Sequence, residues 1–178
     1  QEAICGNRVH FSINTLGGVR RDVSKGTITQ LKHMMDDSTK LSEEIMTSLK
    51  NAATEISGIG LLPKDKARAY GVVGPILRGS GIESDIRKDD PYGAYPELEF
   101  EVPAEDGCDV FSRALVRARE NFEIIKLVRQ IIERMPAGEI RTDLEKPPAG
   151  EDFSRVEAPR GELIYYARLN GTNYPERI

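Results

Sequence analysis

The chain has 178 residues, 39% of them hydrophobic and 30% charged, a balance that suits one globular domain and excludes a disordered tail. A chain of this length buries about 70% of its unfolded surface, so a core forms without covalent staples. Its 25 Lys and Arg against 29 Asp and Glu give a net charge of −4, which supplies no global basic field for nucleic acid; the two cysteines, Cys5 and Cys108, form no disulfide framework, and no apolar run approaches the ~20 residues of a membrane span.

Composition alone therefore points to a reduced, soluble, cytoplasmic domain. The sequence opens on Gln1 and stops at Tyr174-Pro175-Glu176-Arg177-Ile178 within an expected strand, which reads as a fragment excised from a longer chain.

In chain order, Thr27 followed by Gln30 reads as a capping box. It opens a helix of about 25–29 residues carrying Ile28, Leu31, Met34, Met35, Leu41, Ile45, Leu49 and Ile56 at helical spacing, weakest around Asp36 to Lys40. Gly58, Gly60 and Pro63 end it. A short helix fits Leu62 to Tyr70, with Pro63 in its first turn. Short extended segments are expected over Val72 to Leu77 and Leu98 to Val102. The strongest helical signal runs from Asp109 to Met135, where Phe111, Leu115, Ala118, Phe122, Ile125, Val128 and Ile132 form a broad apolar face. Pro136 and Gly138 stop it. Leu144 to Asp152, with Pro147, Pro148 and Gly150, reads as an exposed loop. Leu163 to Leu169, Asn170-Gly171 and Thr172 to Ile178 then read as a hairpin with a two-residue type I′ turn. The expected architecture is α+β and helix-rich, with antiparallel hairpins at its edges.

Candidate chemistry is sparse. The run Gly71 to Gly81 lacks the Lys-[Ser/Thr] of a phosphate loop, and its glycines read as tight turns, at Gly74-Pro75 and at Gly79-Ser80-Gly81. Asn170-Gly171-Thr172 is formally a glycosylation sequon and reads as a hairpin turn. Cys5, Cys108, His10 and His33 are too few and too scattered for a self-contained zinc site. What stands out is a set of arginines in glycine- or proline-marked loops: Arg8, Arg20, Arg21, Arg78, Arg87 and Arg160, with Asp22, Asp85 and Glu157 near them in sequence. Such pairs brace turns by bidentate bonding, and several together indicate a polar interior or an interface.

Three stretches carry a resemblance. Gly6 to Asp22 (GNRVHFSINTLGGVRRD), Gly71 to Tyr95 (GVVGPILRGSGIESDIRKDDPYGAY) and Val156 to Gly171 (VEAPRGELIYYARLNG) resemble, in family order, the large subunit of membrane-bound, energy-converting nickel-iron hydrogenases. They also resemble its relative, the hydrogenase-like quinone-site subunit of complex I, the NADH:quinone oxidoreductase. The resemblance implies a long-helix bundle with antiparallel β-hairpins, of which residues 1–178 form a single central fragment. It implies a small iron-sulfur subunit as partner, membrane subunits indirectly, no nucleic acid, and a peripheral place on the cytoplasmic face of the membrane.

The hydrogenase branch holds nickel and iron with two CxxC pairs, and neither pair is in this sequence. The fragment is thus expected to hold no metal, no other cofactor and no catalytic residue of its own. The full subunit would carry a nickel-iron centre in the hydrogenase branch, or act in NAD(P)H-linked quinone reduction in the complex I branch. Thr15-Leu16 stands before Gly17-Gly18-Val19 where complex I subunits usually have Arg-Pro, which favours the hydrogenase branch. By the same resemblance Arg8 and His10, in Gly6-Asn7-Arg8-Val9-His10, lie near the partner's iron-sulfur cluster. Arg20, Arg21, Asp22, Arg78, Asp85, Arg87, Glu157 and Arg160 belong to loops that brace the redox region. A non-catalytic interaction domain whose loop arginines face a partner is the alternative from another class.

Overall fold

The computed structural model describes residues 2–143, 148–172 and 174–178. Two long helices form its spine. α2 spans Lys25–Asn51, after a short α1 at Glu2–Cys5, and α7 spans Val110–Arg134. At 1.5 Å per residue each runs roughly 40 Å. They lie antiparallel: the Arg129 guanidinium of α7 donates to Asp36 of α2 at 2.9 Å, and the Gly58 N–H beyond α2 donates to Asp109 at 2.7 Å.

Helix α2 begins earlier than Thr27. Ser24 has extended backbone and its hydroxyl accepts from the Thr27 N–H at 3.1 Å, so Thr27 is the third residue of the first turn rather than the cap, and no Thr27–Gln30 box forms. The stretch expected to be weakest is continuous helix, with the Thr39 hydroxyl donating to the Met35 carbonyl at 2.8 Å and Asp36 tied to Arg129 of α7. At Ala52 the helix yields to the single turn α3, Ala53–Ile56. α4, Lys64–Ala69, follows Pro63 as expected.

Two expectations fail for local reasons, and a third, the extended segment at Leu98 to Val102, holds without a partner strand. Val72 to Leu77 is not a strand: Gly74-Pro75 is no tight turn but opens helix α5, Gly74–Arg78, where the fixed φ of Pro75 suits the first turn. Leu98 to Val102 is extended but unpaired, since helix α7 satisfies its backbone in place of a neighbouring strand. The Glu99 N–H donates to the Gln130 side chain at 2.9 Å, and the Glu101 N–H to Glu123 at 2.9 Å. This strapping buries Leu98 and Phe100 against Leu127, with Tyr95 and Val102 alongside. Finally, Ala149 to Asp152 is strand rather than loop; Leu144 and Pro147 of that expected loop lie outside the described residues.

The main hairpin pairs β3, Ala149–Ala158, with β4, Gly161–Asn170, in register from Ala149 opposite Asn170 to Ala158 opposite Gly161. Its turn is Pro159-Arg160, so the Asn170-Gly171 hairpin is the lesser one. There β4 is followed by a short β5, Pro175–Arg177, and of the expected turn pair Asn170-Gly171 only Gly171 takes positive φ, at 81°, which rules out a two-residue type I′ turn. The Asn170 side chain closes this connection by accepting from the Thr172 N–H at 3.1 Å. Near the other end of the chain β1, Asn14–Thr15, pairs with β2, Gly18–Val19. The Val19 N–H donates to the Ile140 carbonyl at 3.0 Å, which fastens this hairpin to the segment after α7. The whole is α+β with antiparallel sheets, and among the described residues no helix is long and apolar enough to cross a membrane.

Candidate functional site

The candidate site is built where α5, α7 and the main hairpin meet. Gly74, at φ 67°, faces Gly161 at the start of β4 so closely that a Cβ on Gly74 would lie 2.4 Å from the Gly161 Cα. Only two glycines allow that approach, and it lays α5 across the end of the hairpin. Arg78, one turn further along α5, is thereby pushed inside, 1% exposed.

Burying a guanidinium costs several kcal/mol unless it is paired and its donors are bonded, and here every donor group has a partner. Arg78 Nε and NH2 donate to one oxygen of Glu120, on α7, at 2.9 and 2.5 Å. NH1 donates to the Ser84 carbonyl at 2.7 Å, and NH1 and NH2 both reach Glu157 Oε1, on β3, at 3.1 Å. Asp85 approaches at 3.6 Å. Three segments of the chain thus converge on one side chain of a fourth, α5.

Asp85 connects this cluster to a second cation. It caps α6, Ile86–Asp89, accepting from the Arg87 N–H at 3.0 Å, and it takes the Arg87 guanidinium in a fork, Nε at 2.8 Å and NH2 at 2.6 Å. Burial opposes ionisation of Asp85, but the Arg87 bonds and the charges of Arg87 and Arg78 outweigh it and hold the carboxyl below its usual value. Burial likewise opposes the charge on Arg87, and Asp85 more than restores it, raising the guanidinium pKa further. Arg87 lies over Phe100 and Tyr95, with 5.0 and 5.8 Å to the ring centroids.

Glu157 behaves in the opposite way. Burial and the negative charge of Asp85 push its carboxyl above the usual glutamate range, and Arg78 opposes this only in part. Its backbone N–H donates to the Tyr92 hydroxyl at 3.1 Å, and burial raises the pKa of that phenol. Beside the cluster opens a cavity of about 340 Å³, lined by Arg117, Asn121 and Ile124 of α7, by Tyr95, and by Glu120 and Glu157. The arrangement offers a fixed buried cation, surplus negative charge and a solvent-accessible chamber.

The remaining expected residues lie elsewhere. Arg8 and His10 are exposed and lie in a bend rather than a strand, in which the Asn7 side chain accepts from the Val9 and His10 N–H groups at 2.7 and 3.2 Å. Arg20, Arg21 and Asp22 are exposed near β2, and Asp22 bonds the Val23 N–H rather than an arginine. Arg160 is exposed in the hairpin turn, and its sequence neighbour Glu157 pairs with Arg78 instead. Among the described residues no His, Cys, Asp or Glu cluster is arranged to hold a metal. Sequence reasoning overlooked Glu120, Tyr92 and Arg117. Glu120 had a signal, since it stands four residues after buried Val116 and four before Ile124, a charge set into an apolar row.

Comparison with known proteins places this geometry in a family context. Residues 1–147 match the family described as "Respiratory-chain NADH dehydrogenase, 49 Kd subunit". Similar relatives include an NADH-quinone oxidoreductase subunit of Anaeromyxobacter sp. (strain K), 38% identical over 99% of this chain and 50% of the relative. The corresponding NADH-quinone oxidoreductase subunit of Desulfitobacterium hafniense (strain Y51) is 37% identical over 99% of this chain and 50% of its own length. The carbon monoxide-induced hydrogenase of Rhodospirillum rubrum is 39% identical over 100% of this chain and 51% of its own. The chain spans about half the length of the curated relatives it matches.

Proposed function

Because the chain belongs to the family of the respiratory-chain NADH dehydrogenase 49 kDa subunit, we propose that it is part of the quinone-reducing subunit of an NADH-quinone oxidoreductase. The observation that carries this reading is the family match over residues 1–147, supported by relatives named as subunits of that enzyme. It displaces the preference for the hydrogenase branch, which rested on Thr15-Leu16 alone. The hydrogenase branch remains as a second reading because the Rhodospirillum rubrum relative is as similar as the others.

In this proposal electrons arrive from an iron-sulfur partner subunit, and the assembly sits on the cytoplasmic face of the membrane through other subunits. The exposed turn at Arg8 and His10 faces that partner. The Arg78 cluster braces α5, α6, α7 and the hairpin into a rigid wall for the redox region, and Arg87, Asp85 and Glu157 are positioning residues within it. A nickel-iron centre does not fit the donors in this stretch, because Cys5 and Cys108 supply no CxxC pair. No step is therefore derived through one.

The test uses the native assembly containing the full-length subunit. NADH-dependent reduction of a short-chain quinone, with no hydrogen evolved from a reduced viologen, is the expected result. Hydrogen evolution without quinone reduction would overturn it in favour of the hydrogenase reading.

A further inference from the structure

Three carboxylates, Asp85, Glu120 and Glu157, converge on Arg78, and the two guanidiniums, buried Arg78 and half-buried Arg87, leave the group one positive charge short. The cations are shared unequally. Asp85 takes the Arg87 fork at 2.6 and 2.8 Å, and Glu120 takes two donors of Arg78 at 2.5 and 2.9 Å. Glu157 is left with two contacts of 3.1 Å, both on Oε1, while its Oε2 has one long contact with the Ile86 N–H, at 3.4 Å. Its side chain is 6% exposed, so water does not make up the deficit.

The other charges around it are committed or distant. Arg155 on β3 is paired with Glu162 and Asp90, and Asp89 on α6 accepts from Ser84 and the Asp85 N–H. The Tyr92 hydroxyl accepts from the Glu157 backbone, Tyr95 lines the cavity, and Arg117 on α7 lines it too but is exposed, where solvent screens its charge. Glu157 therefore loses the competition for Arg78, and it does so on the wall of a chamber wide enough to hold water.

From this geometry we propose that Glu157 is a proton-exchange site, carrying on Oε2 the proton that keeps the cluster neutral and trading it with water in the adjoining cavity. On release the O–H bond breaks, its electron pair stays on Oε2, a cavity water takes the proton, and the cluster passes from neutral to a charge of −1. Glu120 controls the exchange, because it holds the shorter share of Arg78.

The test is a carboxyl titration, by infrared and ¹³C resonance, of the native assembly whose full-length subunit is ¹³C-labelled at glutamate. The range runs from about pH 4, near the ordinary glutamate value, to about pH 8. A protonated glutamate signal should persist to a pH at which an ordinary glutamate is more than about tenfold ionised, and Glu157→Gln should abolish it. In Glu120→Gln, Arg78 is released to Glu157, so the midpoint of the same signal should fall towards the ordinary value. That second variant tests the proposal even if Glu157→Gln fails to fold. Absence of any such signal, its survival in Glu157→Gln, or an unmoved midpoint in Glu120→Gln would overturn the assignment. The readout is a titration and not turnover, so its failure would leave the quinone reading standing, and failure of that reading would leave the titration intact.

Discussion

At the scale of single residues the structure depends most on Arg78. Replacing it with Met keeps the bulk but leaves Asp85, Glu120 and Glu157 facing one another without their shared cation, and breaking a buried pair in this way costs about 3–5 kcal/mol. Chemical denaturation of Arg78→Met should show a loss of that size, where Arg117→Met, at an exposed position, should change stability by less than about 0.5 kcal/mol. Asp85 adds a pH dependence with a defined sign. Its folded-state pKa lies below the usual 3.8, so its stabilisation is complete above that value and is lost as the pH falls through it towards the lowered one. The denaturation midpoint should accordingly drop on acidification below about pH 4, and Asp85→Asn, already weaker at neutral pH, should drop less. Arg78, Asp85, Arg87 and Glu157 could be singled out in the sequence because loop arginines beside acids are unusual. The Asp85–Arg87 fork does join sequence neighbours, but the partners of Arg78 could not be read there, since it reaches Glu157 across 79 positions and Glu120 across 42, and the neighbours Arg160 and Glu157 do not pair.

At the scale of elements the decisive contact is the one between α5 and the hairpin. Gly161 has φ 122°, and a Cβ there would meet the Gly74 N at 2.7 Å, whereas Gly171, at φ 81°, has only the Ala149 side chain nearby at 3.9 Å. Gly171→Val should thus cost on the order of 1 kcal/mol, the backbone penalty alone. Gly161→Val should cost clearly more, because the helix must also withdraw, and it should expose Arg78. Hydrogen exchange of the Arg78 and Gly79 amides tests this: faster exchange is expected in Gly161→Val and unchanged exchange in Gly171→Val. The glycine run from Gly71 to Gly81 was visible as turn chemistry, but a glycine that serves a contact 87 residues away looks like any other in sequence. Helices were more legible. The apolar face of α7 stood out from spacing alone, and the structure adds that Asp109, where the helical signal begins, is its cap and accepts from the Ser112 N–H at 2.8 Å. β3 did not, because Ala149 to Ala158 contains more charge than alternation and its pairing is supplied by β4.

At the scale of the whole molecule one group of exposed apolar residues lies away from the polar cluster in sequence, and it bears on assembly. Around the β1–β2 hairpin Val9, Phe11 and Leu16 are 67%, 74% and 62% exposed, beside the exposed cations Arg8, Arg20 and Arg21. Large apolar side chains grouped with arginines around one hairpin fit a partner surface better than they fit water. In the proposed assembly that partner is the iron-sulfur subunit, and two variants separate contact from electronic effect. Phe11→Asp removes no buried packing, so the isolated subunit should unfold at an unchanged midpoint while its association with the partner weakens by at least tenfold. His10→Met leaves the surface apolar and should preserve association. If His10 sits at the partner's nearest cluster as proposed, the variant should nevertheless lower the midpoint potential of that cluster, because a hydrogen-bond donor aimed at a cluster stabilises its reduced state. Redox titration of the assembly checks this, and an unchanged potential would remove His10 from the path of electron entry.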